Sequence, residues 1–318
     1  MSGIAYRGLQ QGLHVTWTLG KVIFPITLIV TILQHTPILP WIIELLSPIM
    51  GLFGLPGEAA VSLVLGNSLN LYAGIAAIIS FDFSVKEVFI LAVMLSFSHN
   101  LFIESTVASR VGISWWLISG VRLVLAMTAA IFINLVWAGG SQPAQYGFIS
   151  QKEIPAGWAE MILQAIQTAL FAVIQLALIV IILMIVMQFL REKGWLIKIS
   201  DAFAPVTKIL GMEKNTSLTL VAGLTIGLAY GAGVMIQAVK EDGVSKKDTF
   251  LALLFLVACH AVVEDTVIFI PLGIPVWPLL LIRLVTAMLL TMTVAFIWKR
   301  LDIKKKRDTV NEHSYDSI

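Results

Sequence analysis

The chain has a single cysteine, Cys259, among 318 residues, so no disulfide can close within it. Charge is scarce as well: 13% of the residues are Asp, Glu, Lys or Arg, about half the share of an average soluble domain. With 58% hydrophobic residues, that composition excludes a water-soluble fold. There is no Gly-rich loop ending in Gly-Lys-Ser/Thr, which excludes a nucleotide-driven pump, and no His-Glu-x-x-His motif. Ser98 and His99 are adjacent and cannot face each other on a helix, so "SHNLFIEST" at 98–106 makes no nucleophilic centre. Neither an enzyme nor a cofactor is expected. The first residues carry no short apolar core followed by a small-residue cleavage site, and the first apolar segment is read as a retained span.

What the chain does have is a series of apolar stretches near or above the roughly 20 residues needed to cross hydrocarbon. They fall at about 14–34, 59–80, 87–109, 115–137, 161–190, 217–239, 249–270 and 278–298, with shorter ones at 38–54 and 195–212. The only polar, Gly/Pro-containing connection is 138–160. It divides the chain into a first membrane repeat at 1–137, an outer linker at 138–160, a second membrane repeat at 161–298 and a basic tail at 299–318.

The two halves share polar landmarks. Laid 161 residues apart without a gap, His99 falls on His260, Gly112 on Gly273, Trp116 on Trp277 and Arg122 on Arg283, while Glu104 meets Asp265 and Ser105 meets Thr266. Upstream, a register of 157 brings Pro48 onto Pro205, Gly54 onto Gly211, Gly66 onto Gly223 and Gly74 onto Gly231. Apolar sequences match by chance at Leu and Val, but not at His, Arg, Trp and acid in one register.

If the two short stretches also cross, the fold is an all-α integral membrane protein of about ten transmembrane helices, arranged as two inverted five-helix repeats. Both termini then lie in the cytoplasm, with Arg7, Arg110, Arg191, Lys193 and the tail "KRLDIKKKR" inside and Lys86, Lys152, Lys208 and Lys214 outside. That asymmetry follows the positive-inside tendency. The stretch 195–212 is the weak member, since Lys198, Asp201 and Lys208 suit an interfacial helix better. An odd number of spans per repeat inverts the second copy, a construction that places a site near the midplane.

His99 and His260 are expected to approach one another there, because inversion brings them to the same depth. Imidazole is the cheapest ionisable group to bury and both donates and accepts. Glu104 and Asp265 cost several kcal/mol in hydrocarbon unless paired or wet, and Arg122 and Arg283 are their expected partners, either as helix-pinning ion pairs or as proton-coupling groups. Glu264 has no acidic counterpart at Ile103 and is the candidate for asymmetric chemistry. A second polar group interrupts 63–74, where Asn67, Ser68, Asn70 and Tyr72 sit among glycines; its repeat partner carries Thr225 and Tyr230. The expected solute-contacting set is Asn67, Ser68, Asn70, His99, Asn100, Thr225, Tyr230 and His260. Two histidines with Glu104, Asp265 or Glu264 also offer metal ligands, with the metal left undetermined.

Two inverted copies, each with a Gly/Asn-bearing span, then "SHNLFIEST" or "CHAVVEDT", then a Trp/Arg span, resemble the nucleoside recognition, or Gate domain, membrane proteins. That family gathers relatives of concentrative nucleoside transporters, ferrous iron permease gates and spore maturation membrane proteins. The resemblance covers about 40–137 and 200–298 and implies a solute-moving or gating unit in the bacterial cytoplasmic (inner) membrane. By position, 66–74 and 223–231 would form the site walls around His99 and His260. An iron permease gate would be expected to bring cysteine or other soft ligands and a cytoplasmic GTPase, whereas Cys259 stands alone.

The expectation is therefore a multi-pass secondary transporter of a small polar or nucleoside-like solute, coupled to protons through the His and acid groups. A cation or divalent-metal permease and a membrane scaffold or assembly protein without a solute pathway are the alternatives. The expected partners are the solute, the bilayer, a proton or cation and a second copy of the chain; nucleic acid is not among them.

Overall fold

The computed structural model describes residues 2–33, 36, 38–146, 157–228 and 243–315. Among these residues the structure is all-α, apart from one isolated bridge between Ser84 and Pro143. The first half holds α1 (Ser2–Leu33), α2 (Ile38–Gly51), α3 (Ala59–Ser68), α4 (Leu71–Ser80), α5 (Val85–Ser98), α6 (Leu101–Arg110) and α7 (Trp115–Val136). The second holds α8 (Trp158–Glu192), α9 (Trp195–Ile209), α10 (Ser217–Ile226), α11 (Lys246–Ala258), α12 (Glu264–Val267) and α13 (Val276–Tyr315). Four segments of the described residues are long and apolar enough to cross a bilayer: Gly3–Leu33, Val85–Arg110, Trp115–Val136 and Val276–Leu301. The chain is an all-α membrane protein.

The expected span at 59–80 is instead a hairpin. Leu69 and Asn70 break it into α3 and α4, each of 10 residues, about 15 Å long and half a hydrocarbon thickness. Asn70 caps α4, its Oδ1 accepting from the Ala73 N–H at 2.9 Å. The two helices fold back on one another at glycines: a Cβ on Gly74 would lie 3.1 Å from Gly66 Cα and 3.2 Å from Ser62 O. Sequence composition cannot distinguish 20 apolar residues in a line from 10 and 10 folded back. α2 and α9, at 14 and 15 residues, also fall short of a 30 Å crossing.

The expected span at 87–109 is broken too, at His99 and Asn100, between α5 and α6. It is not a lipid-facing segment: Val88, Ile90, Leu91, Ala92, Val93 and Leu95 are all fully buried, and so are Leu251 to Ala258 of α11. These two helices form the core. α7 packs on α5 and α13 on α11, and each outer helix also reaches the other half's inner one. Lipid-facing positions are filled as a bilayer requires: Phe132, Leu135, Leu281, Leu289 and Phe296 are exposed, and Trp116 and Trp277 stand out at the helix starts.

Local signals that begin the inner helices recur in the 161-residue register. Ser84 Oγ accepts from the Glu87 N–H while Glu87 Oε2 accepts from the Ser84 N–H, a capping box that starts α5. Ser245 Oγ accepts from the Asp248 N–H at the start of α11.

Contacts sort the ends of the helices into two layers. In one, Lys86 Nζ donates to Asn134 O, Gly54 lies against Asn134, and residues 140–144 bond back to Phe83–Lys86, with Gly273 against Gln145. Tyr146, whose pKa is raised by burial, accepts from the Phe83 N–H there. In the other, Lys247 Nζ donates to Gly211 O, Gly211 lies against Ala295, and Arg7 pairs with Glu192.

α1 and α8 run antiparallel at the flank. Their backbones close at glycines: a Cβ on Gly8 would lie 2.6 Å from Ile185 Cα and one on Gly12 2.7 Å from Ile181 Cα. A Gly12→Leu protein, overpacked by about 1–3 kcal/mol, is expected to melt several degrees below wild type in detergent. Gly120→Ala, where nothing lies within 4 Å of the added methyl, serves as the control and is expected to melt at or above wild type.

Candidate functional site

A helix interrupted inside the bundle leaves carbonyls at the end of one piece and N–H groups at the start of the next without partners. The chain makes this interruption twice, in equivalent places. Asn100 and Ala261, 161 residues apart, are the two non-glycine residues with positive φ among the described residues, at 52° and 41°. Each sends its N–H to an equivalent glycine, Asn100 to Gly66 O at 2.9 Å and Ala261 to Gly223 O at 3.0 Å. A Cβ at either glycine would press on the end of the Leu95 or Leu256 side chain, respectively, so glycine lets the backbone approach without displacing the leucine.

Two buried arginines take the freed carbonyls. Arg122 donates through Nε to Phe97 O (2.8 Å) and through Nη2 to His99 O (2.6 Å). Arg283 donates through Nη2 to His260 O (2.5 Å). Both side chains are fully buried, and each is balanced by an acid from the next helical piece. Arg122 Nη2 lies 2.7 Å from Glu104 Oε2, and Arg283 Nη2 lies 3.0 Å from Asp265 Oδ2. The expected pairs therefore form. Ser119 Oγ donates to Ser105 Oγ, and Arg283 Nη1 to Thr266 Oγ1, so the hydroxyls of the repeat are also used.

The two histidines meet between these pairs, ring centroids 5.2 Å apart and tilted by 38°. In each ring Nδ1 lies 2.7 Å from the carbonyl four residues back, Leu95 O for His99 and Leu256 O for His260. A carbonyl only accepts, so Nδ1 carries hydrogen in both rings. Both Nε2 atoms face Glu104 Oε1, at 3.5 Å from His99 and 3.3 Å from His260. The symmetry stops there, because Asp265 approaches only His260, at 3.6 Å.

Glu264 accepts a short hydrogen bond from the Tyr72 hydroxyl across the two halves. Neither residue has a like partner in the other repeat: Glu264 aligns with Ile103 and Tyr72 with Ala229. Tyr72 belongs to the polar group read in 63–74 but not to the expected solute contacts, and two unmatched polar residues in otherwise matched segments are the signal that pairs it with Glu264. A narrow apolar pocket lined by Ile23, Ile75, Ala172 and Ile268 reaches Tyr72.

Of the other expected solute contacts, Asn67 and Asn100 each hold a buried side-chain oxygen with no hydrogen-bond partner. Asn70 is occupied as a helix cap, Thr225 Oγ1 bonds Val221 O in its own helix at 2.7 Å, and Ser68 is exposed. Tyr230 lies outside the described residues.

Broken inner helices, a buried histidine pair and balanced Arg–acid pairs define an integral membrane protein with a polar centre. The chain belongs to the Gate family, described as nucleoside recognition, whose model matches residues 16–114 and 173–275. The two matched segments begin 157 and end 161 residues apart, the same two registers read from the sequence. It is 64% identical over 301 residues to an uncharacterized membrane protein, YvoD, of Bacillus subtilis (strain 168), covering 94% of this chain and 96% of that one. No solved structure matches the chain.

Removing one member of a buried ion pair strands the other and costs about 3–5 kcal/mol. Arg122→Leu is expected to unfold far below wild type, and Arg122→Leu combined with Glu104→Leu to recover part but not all of the loss, since Phe97 O and His99 O stay unbonded. Melting curves of the two variants, run with Arg110→Leu as an exposed control, check this; a single variant as stable as the control would mean the pair does not hold the break.

Proposed function

We propose that the protein is a secondary transporter of a small polar or nucleoside-like solute, with its site between two inverted repeats and with the His and acid centre as the proton-coupling element. The observation that carries this reading is the face-to-face placement of two helix breaks around His99 and His260 in an otherwise apolar, buried interior. Asn67 Oδ1 and Asn100 Oδ1, buried and unpartnered beside the first break, are the groups offered to an organic solute. Membership of a family described by nucleoside recognition supports the substrate class.

The topology we infer has three crossings per half: α1, α5–α6 and α7, then α8, α11–α12 and α13. α2 and α9 lie at opposite surfaces, and 59–80 enters and leaves on one side. Three is odd, so the second half is inverted. The two contact layers support this, with Gly54 and its counterpart Gly211 in opposite layers. Among the described residues, Arg7, Arg110, Lys193, Lys208, Lys214, Lys246 and Lys247 then all lie in the cytoplasm, leaving Lys86 outside. That is a sharper positive-inside bias than ten crossings give.

Lys214 separates the two topologies, being cytoplasmic with six crossings and external with ten. In a Cys259→Ser background, an exposed Lys214→Cys is expected to react with a membrane-impermeant maleimide only after the cells are opened. Labelling of intact cells would restore the ten-span arrangement.

A membrane scaffold is the second reading, favoured by the way Arg122 and Arg283 are consumed in bonding the carbonyls of the breaks. A thermal-shift panel of nucleosides, nucleobases and other small metabolites separates the two, since a ligand at 100 times its dissociation constant adds about 2.7 kcal/mol. We expect saturable stabilisation by one organic class, lost in Asn67→Ala and His99→Ala, with uptake of the same class into proteoliposomes abolished in His99→Ala. Silence across the panel, with no uptake by wild type, would favour the scaffold.

A further inference from the structure

The centre of the site contains acceptors facing acceptors. Both imidazoles spend their Nδ1 hydrogens on backbone carbonyls, at 2.7 Å each, so in the neutral rings both Nε2 atoms present lone pairs. Both point at Glu104 Oε1, itself an acceptor when ionised, at 3.5 and 3.3 Å. His260 Nε2 has no hydrogen-bond partner although the residue is 1% exposed. A buried point on which two imidazole nitrogens and a carboxylate oxygen converge, one of the nitrogens without a hydrogen-bond partner, is the arrangement of a cation ligand set. The carbonyl behind each ring fixes the tautomer and aims the free nitrogen, as outer-sphere partners do for metal-binding histidines.

We propose that His99 Nε2, His260 Nε2 and Glu104 Oε1 bind a divalent transition-metal ion of the zinc class, joining the two halves of the protein. The donor set is two imidazoles and one carboxylate, which suits Zn2+ or Co2+ and not Mg2+ or Ca2+, whose sites are built from oxygen. Bonds of 2.0–2.1 Å in a tetrahedron have ligand-to-ligand edges of about 3.4 Å, and the two imidazole-to-carboxylate distances are 3.5 and 3.3 Å. All three ligand atoms lie within 4.8 Å of one another. Glu104 divides its work, with Oε2 beside Arg122 and Oε1 toward the ion. The surrounding cluster sets three carboxylic groups, Glu104, Asp265 and Glu264, against two arginines, and a cation offsets the surplus of acid.

The inference does not depend on which solute, if any, the protein moves, because the ion is read by equilibrium binding. The test uses full-length protein in detergent, stripped with chelator and freed of any polyhistidine tag, then titrated with Co2+ and Zn2+. We expect one equivalent per chain, with the intense visible bands of tetrahedral Co2+ displaced by Zn2+, and Mg2+ unable to compete. His99→Gln, His260→Gln and Glu104→Gln should each weaken binding on the order of 100-fold, at least as much as loss of an outer-sphere partner does. Cys259→Ser should bind as wild type, since the thiol is no part of the set. Where a histidine variant melts lower than wild type, binding is compared below its transition so that unfolding does not count as lost affinity. No Co2+ spectrum in wild type, or an unchanged one in both histidine variants, would overturn the proposal.

Discussion

Everything at the centre of this protein depends on how a broken helix is satisfied away from water. In hydrocarbon an orphan carbonyl or N–H costs several kcal/mol, and irregular backbone survives only where protein supplies the missing partners. Here the N–H groups after the breaks are taken by Gly66 O and Gly223 O, and carbonyls before them by Arg122 and Arg283. A guanidinium brings its own problem, a full charge in a low-dielectric interior, and Glu104 and Asp265 offset it. Break, arginine and acid are thus one device, and each half contains a copy.

The device fixes where the histidines stand. His99 and His260 are the residues at the breaks, tied backward through Nδ1 to their own helices and held forward through their carbonyls by arginine. Little freedom is left to either ring, and the two Nε2 atoms end on one carboxylate oxygen. Preorganisation of this kind suits a site that must hold a cation, or pass a proton, without waiting for the protein to rearrange. Beyond their first turns the inner helices are buried, while α7 and α13 carry the lipid-facing Phe and Leu.

Departures from symmetry fall at the polar centre. Glu104 serves both histidines and Asp265 only one. Tyr72 and Glu264, each without a like partner in the other repeat, bond each other across the halves.

Much of this was legible in the sequence. Composition alone makes a membrane protein, and matched His, Arg and acid in one register give the repeat, the two ion pairs and the approach of the histidines, because such groups in an apolar chain have few possible partners. What the sequence left undecided was whether each apolar stretch runs straight. The stretch 59–80 turned out to be two short helices folded back at Gly66 and Gly74, and 87–109 to be broken at its middle. Hydropathy is the same for a straight helix, a hairpin and a broken helix. The choice among them rests on whether packing from distant parts of the chain, Leu95 under Gly66 and Arg122 over His99, can satisfy the backbone that a break exposes.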